Sequence, residues 1–375
     1  MVMMNNSVNS SLADLIRQPI IELSSTALTA NLSAVRTLAP NSKVVSMVKA
    51  DAYGHGIAFA LAALSSTDIF GVACIEEARQ IRKLGYQQPI ALIEGVFTEA
   101  EWLEACDSGF DCVIHQAQQI EWALKHPHLF QQKNLKVWLK LNSGMNRLGF
   151  TPDQLLDAAQ HLRIAGFNLV LTMHFANADQ PAHPLNQQQM STFLKLKQQL
   201  EPIEASCCNS AAIYNYPELH FDYVRPGIML YGSSPFADIS AKTLGLQPVM
   251  RFKSRVMAIQ ELSANESVGY GSTYITTRPT RLGIVAVGYG DGYPRALTAG
   301  AFVSINGQAA PVLGRVSMDL MAVDLTDLAE TIQIGQLVEL WGNYPEVDQL
   351  AQYNQTIGYE LLCRLSARPE RRIID

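Results

Sequence analysis

Short apolar runs alternate with helix-like segments along the first 225 residues of this chain. Each run has the length of one buried strand, and the segments between the runs have the apolar spacing of helices that pack on a sheet. Eight strands alternating with helices over about 180 residues predict a (β/α)₈ barrel, although an open doubly wound sheet shows the same alternation. The eight runs cover residues 44–48, 69–73, 90–93, 111–114, 137–141, 169–174, 205–207 and 223–225.

The pattern changes near residue 249, where long β-rich runs with glycine turns, among them residues 311–325, replace the alternation and few helix signals remain. Such a change predicts an all-β domain after an α/β domain, with the junction at residues 235–246. A short strand signal also precedes the barrel, at residues 19–23. The predicted segments are a flexible tail at 1–18, a strand and helix at 19–43, the barrel at 44–240 and a C-terminal β domain at 241–375.

Composition excludes several classes of protein. A net charge of −6 and a pI near 5.8 give no attraction for nucleic acid or an anionic membrane. The six cysteines form no C-x-x-C pair, which argues against zinc sites and disulfides. Residues 1–12 lack the basic and apolar regions of a signal peptide, and no apolar run approaches the roughly 20 residues of a membrane span. These features predict a cytoplasmic protein without a metal.

Lys49 follows an apolar run and precedes a glycine-rich segment, so we expect it at the end of a buried strand. A lysine there is either a functional amine or a side chain that extends to water. Other polar residues also follow predicted strands, and the active sites of barrel enzymes lie at the carboxyl ends of their strands. A hydroxyl and free backbone N–H groups near glycine can bind phosphate. Together with the lysine at a strand end, these groups indicate a phosphorylated aldehyde cofactor. The residues at the strand ends are Lys49, Lys140, His174, Asn209, Ser210 and Arg225.

Eight motifs, in order along the chain, resemble those of bacterial alanine racemases, which use pyridoxal phosphate in a fold type III barrel. The resemblance runs from about residue 19 to the C-terminus. The motifs cover residues 44–56, 140–150, 173–179, 209–212, 225–232, 268–274, 287–295 and 314–319, and residues 358–368 add a further match.

The resemblance implies pyridoxal 5'-phosphate as the cofactor, covalently bound to Lys49. Arg147 would bond its phenolic oxygen and Arg225 its ring nitrogen, with His174 bonded to Arg225. The other residues implied to bind the cofactor, chiefly its phosphate, are Tyr53, Asn209, Ser210, Gly227, Ile228 and Tyr359.

The resemblance also implies racemisation of L- and D-alanine by two bases, Lys49 and Tyr270, on opposite faces of the substrate. Arg147 and the backbone of Met318 would bind the substrate. The residues implied to support or narrow the site are Lys140, which carries a carbamate in many relatives, Asp319 and Tyr289.

A homodimer with shared active sites follows from the resemblance, as does a C-terminal domain that includes the strand at 19–23. D-alanine would serve peptidoglycan synthesis, or the enzyme would act in alanine catabolism. Two alternatives stay open: a decarboxylase with the same architecture, and a non-catalytic cofactor-binding barrel. The decarboxylases have Glu-Pro-Gly-Arg where this chain has Arg-Pro-Gly-Ile, and the non-catalytic proteins lack a second domain.

Overall fold

The computed structural model describes residues 17–329 and 331–375. The chain forms two compact units, which are Ser25–Gln247 and the described residues before Ser25 together with Pro248–Asp375. The predicted flexible tail, 1–18, lies outside the described residues except for its last two.

The first unit contains eight parallel strands in the order in which they occur along the chain. The first strand pairs with both the second and the eighth, which excludes an open doubly wound sheet and confirms the predicted barrel. Most strand residues are buried on both faces, as expected where helices cover a parallel sheet. The strands are Lys43–Met47, Ile69–Val72, Ile90–Leu92, Phe110–Ile114, Lys136–Lys140, Asn168–Thr172, Glu204–Ser206 and Tyr223–Val224.

The seventh and eighth strands are joined by side chains. Ser206 Oγ donates to the Tyr223 carbonyl at 2.9 Å, and the Ala205 N–H donates to Asp222 Oδ2 at 2.8 Å. The Arg225 N–H reaches the Cys208 carbonyl at 2.9 Å just beyond the strands. These bonds hold the loops after the last two strands side by side.

Helices cover the barrel, and side chains fix where several of them begin. Thr98 accepts a hydrogen bond from the Glu101 N–H, and Thr151 forms a capping box with Gln154. The helices of this unit are Ser25–Leu38, Ile57–Ala63, Ile75–Lys83, Glu99–Ser108, Ala117–Lys125, Pro127–Gln132, Pro152–Ile164, Pro184–Gln199 and Ser210–Asn215.

The second unit is built on an eight-stranded sheet in which the long strand Met250–Leu262 is the centre. This strand pairs with Leu337–Trp341 and with Thr280–Val285, so that part of the sheet closes on itself. The N-terminal strand Ile20–Leu23 pairs antiparallel with Met250–Leu262 and parallel with Glu370–Ile373. The remaining strands of the sheet are Phe302–Ile305, Gln308–Leu313 and Met321–Asp324, and Ser267–Val268 pairs separately with Tyr274–Ile275.

The β-rich run predicted at 311–325 is interrupted in the structure by a loop at 314–320. Gly314 has a left-handed φ of 67°, and Ser317 replaces strand pairing with local bonds to the Leu320 backbone at 2.7 and 3.1 Å. The helices Val347–Tyr353 and Gly358–Cys363 also occur in a domain whose sequence shows few helix signals. Both helices are short, so their apolar spacing is too brief to be distinctive.

Candidate active site

Lys49 lies just beyond the first barrel strand, at the carboxyl end of the barrel. The backbone after it turns in a left-handed sense, with φ between 52° and 54° at residues 50–53. A left-handed residue other than glycine costs roughly 1–2 kcal/mol, so contacts from the rest of the fold must hold this turn. Strained backbone of this kind concentrates at functional sites.

Glu94 is a carboxylate beside Lys49, with its Oε1 atom 3.7 Å from Lys49 Nζ. It follows the third strand, and its carbonyl lies 3.1 Å from His115 Nε2. The buried Gln119 accepts from the His115 N–H and donates to the Val96 carbonyl, both at 2.8 Å, which fixes this loop. Sequence reasoning missed Glu94, although its place directly after a strand is the signal that identified Lys49.

Lys140 ends the fifth strand and is only 8% exposed. Burial, followed by the nearby guanidinium groups of Arg225 and Arg147, lowers the pKa of the Lys140 amine from its ordinary 10.5 to about 8. The negative charge of the Glu94 carboxylate raises the pKa of Lys140, but by less than the other causes lower it. The amine is therefore divided between its charged and neutral forms near pH 8.

Arg225 is buried beneath the carboxyl ends of the last strands. Its guanidinium donates to Ser206 Oγ at 2.6 Å, to Thr172 Oγ1 at 3.2 Å and to the Met173 carbonyl at 2.6 Å. No carboxylate among the residues described here forms an ion pair with Arg225. The group therefore keeps a net positive charge inside the barrel and can donate further hydrogen bonds.

His174 lies between Arg225 and Asn209, with ring nitrogens 3.5 Å from Arg225 Nη2 and 3.4 Å from Asn209 Nδ2. Burial, then the positive charges of Arg225, Lys140, Arg147 and Lys49, holds the pKa of His174 well below its usual value. The ring is neutral, so only one of its nitrogens accepts a hydrogen bond and the other carries the proton.

The residues of the barrel unit that were predicted to bind phosphate lie close to one another. Ser210 Oγ accepts from the Gly227 N–H at 2.9 Å and retains its own proton to donate. A Cβ at Gly227 would lie 2.4 Å from Tyr53 Oη, so only glycine allows this approach. No acceptor in the described part of the chain bonds the Ile228 N–H. The Asn209 side chain caps the following helix by accepting from the Ala212 N–H at 3.0 Å.

The other predicted site residues belong to the second unit. Tyr270 is 72% exposed on a turn, and Met318 is 53% exposed on the loop at 314–320. Tyr289 packs against that loop, because its N–H donates to the Ser317 carbonyl at 3.0 Å. No partner for the Met318 N–H occurs within 17–329 and 331–375, which leaves this donor available.

Two further residues of this unit were predicted to serve the site. Asp319 pairs with Arg368 at 2.7 Å and with Arg17 at 3.2 Å, so its support of Tyr270 stays a prediction. Tyr359 is half-buried on the helix Gly358–Cys363.

The described residues contain no cluster of three or more histidine, cysteine or acidic side chains placed to hold a metal ion. Across 17–329 and 331–375, no helix has the length and apolar character needed to span a bilayer.

Positive charge predominates at the carboxyl end of the barrel. Four cations, Lys49, Lys140, Arg147 and Arg225, lie near one another, and the carboxylate of Glu94 lies beside them. Lys140 and Arg225 are buried, Lys49 is half-buried and Arg147 is exposed. This excess of positive charge suits a ligand with several negative charges.

Comparison with known proteins identifies the chain with one family. Residues 23–235 match the family model described as the N-terminal domain of alanine racemase, and residues 249–373 match that of its C-terminal domain. An alanine racemase of Psychrobacter sp. is 50% identical, in an alignment that covers 96% of this chain and 100% of the relative.

Solved structures agree with this match. An alanine racemase structure from Acinetobacter baumannii superposes with a TM-score of 0.94 at 54% identity, over 96% of this chain and all of the other. A structure described as alanine racemase from Bartonella henselae with covalently bound pyridoxal phosphate has a TM-score of 0.85 at 30% identity, over 95% of this chain and 99% of that one. The chain therefore belongs to the alanine racemase family and is an amino-acid racemase.

Proposed function

We propose that this chain interconverts L- and D-alanine with pyridoxal 5'-phosphate bound covalently to Lys49. The family matches support the reaction, and the covalently bound cofactor of the Bartonella relative supports the cofactor. The role of D-alanine would be peptidoglycan synthesis or alanine catabolism, in the cytoplasm.

The residues at the carboxyl end of the barrel fit this cofactor. Its phosphate suits the Ser210 hydroxyl, the Ile228 N–H and the Tyr53 phenol, which meet where Gly227 leaves no side chain. Tyr359, Asn209 and the cations of the site would complete the set. When bound, the cofactor weakens the bond between the substrate Cα and its hydrogen by withdrawing electrons.

The observation that carries the proposal is the buried Arg225 without an acidic partner among the described residues. A guanidinium does not give up its proton in a protein, so Arg225 would donate a hydrogen bond to the ring nitrogen without protonating it. The neutral His174 would orient Arg225. By leaving the ring nitrogen unprotonated, Arg225 would favour the removal and rapid return of one proton over amino-group transfer.

Racemisation needs two groups that exchange protons with opposite faces of Cα. Lys49 would be one of these groups and Tyr270 the other. Arg147 and the free Met318 N–H would bind the substrate carboxylate, with Tyr289 narrowing the entry and Asp319 supporting Tyr270. We further propose that a homodimer combines Lys49 of one chain with Tyr270 of the other.

Incubation with L-alanine tests the reaction. The expected product is D-alanine; carbon dioxide would indicate the decarboxylase, and no product would indicate a non-catalytic protein. Borohydride should fix a pyridoxyl group on Lys49, and Lys49→Ala should abolish both the label and turnover.

Lys43→Ala is the matched control, because Lys43 begins the same strand but is exposed. It should keep both properties. A label mapped to Lys140 would overturn the assignment of Lys49.

A further inference from the structure

The left-handed turn after Lys49 has contacts that oppose its relaxation. Within the turn, the Ala52 N–H donates to the Val48 carbonyl at 2.9 Å and the Gly54 N–H to the Ala50 carbonyl at 3.0 Å. These bonds close one turn of left-handed helix, but they would also be available to a right-handed turn, which L-residues prefer. Local hydrogen bonds therefore do not explain the observed hand.

Glu77 provides a contact from outside the turn. Its Oε1 accepts from the Ala50 N–H at 2.7 Å and its Oε2 from the Ala73 N–H at 2.8 Å. Ala73 directly follows the second barrel strand, so the carboxylate ties the residue after Lys49 to a fixed neighbour. Hydrogen bonds to an ionised carboxylate are shorter and stronger than those between neutral groups.

The two ends of the turn carry groups that the proposed function uses. Lys49 stands at its start and Tyr53 at its end, with the Tyr53 ring stacked on Tyr231 at 4.8 Å. The Tyr231 hydroxyl in turn donates to the Met47 carbonyl at 2.9 Å. If residues 50–53 relaxed to a right-handed conformation, the directions of Lys49 and Tyr53 relative to each other would change.

We propose that Glu77 is a positioning residue that holds the left-handed turn, and through it the relative placement of Lys49 and Tyr53. The expected effect of Glu77 on cofactor binding rests on the proposed function. The contact itself does not depend on that function.

Glu76→Gln is the matched control for Glu77→Gln. Both residues lie in the first turn of the helix Ile75–Lys83, so both changes remove the same negative charge from the same helix end. Glu76 is exposed and pairs with Arg79 at 3.3 Å, whereas Glu77 bonds the turn. The amide side chain introduced by Glu77→Gln would keep one acceptor oxygen and place an NH₂ group against an N–H donor. A difference between the variants therefore isolates the two hydrogen bonds.

Hydrogen exchange of the cofactor-free protein measures the turn directly. In Glu77→Gln the amides of residues 50–56 should exchange about tenfold faster or more, which is the effect of losing a charge-assisted bond. Glu76→Gln should leave them unchanged. The dissociation constant of pyridoxal 5'-phosphate, followed by absorbance, should rise about tenfold in Glu77→Gln and stay within about twofold in Glu76→Gln.

Ala50→Gly provides a rescue, because glycine adopts the left-handed conformation without a steric penalty. Ala50 is exposed, and the change removes a single methyl group, so little packing is lost. The double variant Ala50→Gly with Glu77→Gln should recover most of the cofactor affinity and should fold even if Glu77→Gln alone does not.

The outcomes separate the two proposals. A wild-type protein that neither binds the cofactor nor racemises alanine would refute the proposed function, while hydrogen exchange would still test Glu77. Equal exchange and equal affinity in the two glutamine variants would overturn the positioning role. So would a double variant that stays unfolded, because Glu77 would then be required by the fold as a whole.

Discussion

Lys140→Met is expected to stabilise the barrel at neutral pH in buffer free of carbon dioxide. The buried amine has its pKa lowered from 10.5 to about 8, chiefly by burial. At about 1.36 kcal/mol per pKa unit, the protonated form costs the folded state about 3 kcal/mol. Methionine has a similar length and carries no charge, so it removes this cost without leaving a large cavity.

The sign of the pH dependence follows from proton binding. Between pH 8 and 10.5 the unfolded chain binds a proton at Lys140 that the folded chain does not bind, so wild-type stability rises with pH over this window. Below pH 8 both states are protonated and the full cost applies. The advantage of Lys140→Met should therefore be largest below pH 8 and should vanish near pH 10.5.

Urea unfolding of the cofactor-free protein at pH 7, 8 and 9 measures this difference. The fluorescence of Trp102 and Trp138, both buried in the barrel unit, reports the transition. Lys43→Met is the control, because Lys43 is exposed and its replacement removes no buried charge. The reasoning would be refuted if Lys140→Met and wild type had equal free energies of unfolding at pH 7. It would also be refuted if the difference between the two free energies grew towards pH 9.

Three further results are expected. Lys140 should form a carbamate, because about half of an amine with a pKa of about 8 is neutral at pH 8 and only neutral amines add carbon dioxide. In ¹³C-bicarbonate the wild-type protein should give a carbamate NMR signal that Lys140→Met lacks. A signal common to both proteins would argue against a carbamate on Lys140. Glu94→Gln should lower the pKa of Lys140, since the Glu94 carboxylate raises it. More of the amine is then neutral at pH 7, so Lys140 should be acylated faster. Glu76→Gln is the control and should leave this rate unchanged. Mixing Lys49→Ala with Tyr270→Phe protein should restore roughly a quarter of wild-type activity, because about half of randomly formed dimers are mixed and each mixed dimer has one intact site. No recovery after verified subunit exchange would mean that each active site takes Lys49 and Tyr270 from the same chain.

The barrel was predictable because its signal is local and repeated. Runs such as 69–73 and 90–93 are apolar throughout, as strands buried on both faces must be, and the intervals between them leave room for one helix each. The boundaries agree with the structure to within a few residues at each end. The β-rich run at 311–325 contains parts of two strands, and its composition does not show where the first ends, because the hydrogen bonds of Ser317 between them depend on atoms in their final positions.

The composition of the barrel site was largely predictable by a single rule. The carboxyl ends of parallel strands meet at one edge, so polar residues that follow predicted strands gather there. That rule places Lys49, Lys140, His174 and Arg225 together, and the structure agrees. It did not identify Glu94, whose acidic side chain after a strand reads equally well as a solvated loop residue.

The sequence by itself determined the fold class, the family and the residue types at the strand ends, because these depend on apolar spacing and on motifs that are contiguous in the chain. Only the tertiary structure decided how those residues behave. The pKa of Lys140 falls chiefly because the folded barrel buries its amine, and because the fold brings the guanidinium of Arg225, distant in sequence, close to it. The turn at 50–53 is left-handed against the preference of its own residues, and Glu77, more than twenty positions away, bonds its backbone. Burial, charge proximity and strain arise from contacts between segments that are far apart along the chain, so no local pattern records them.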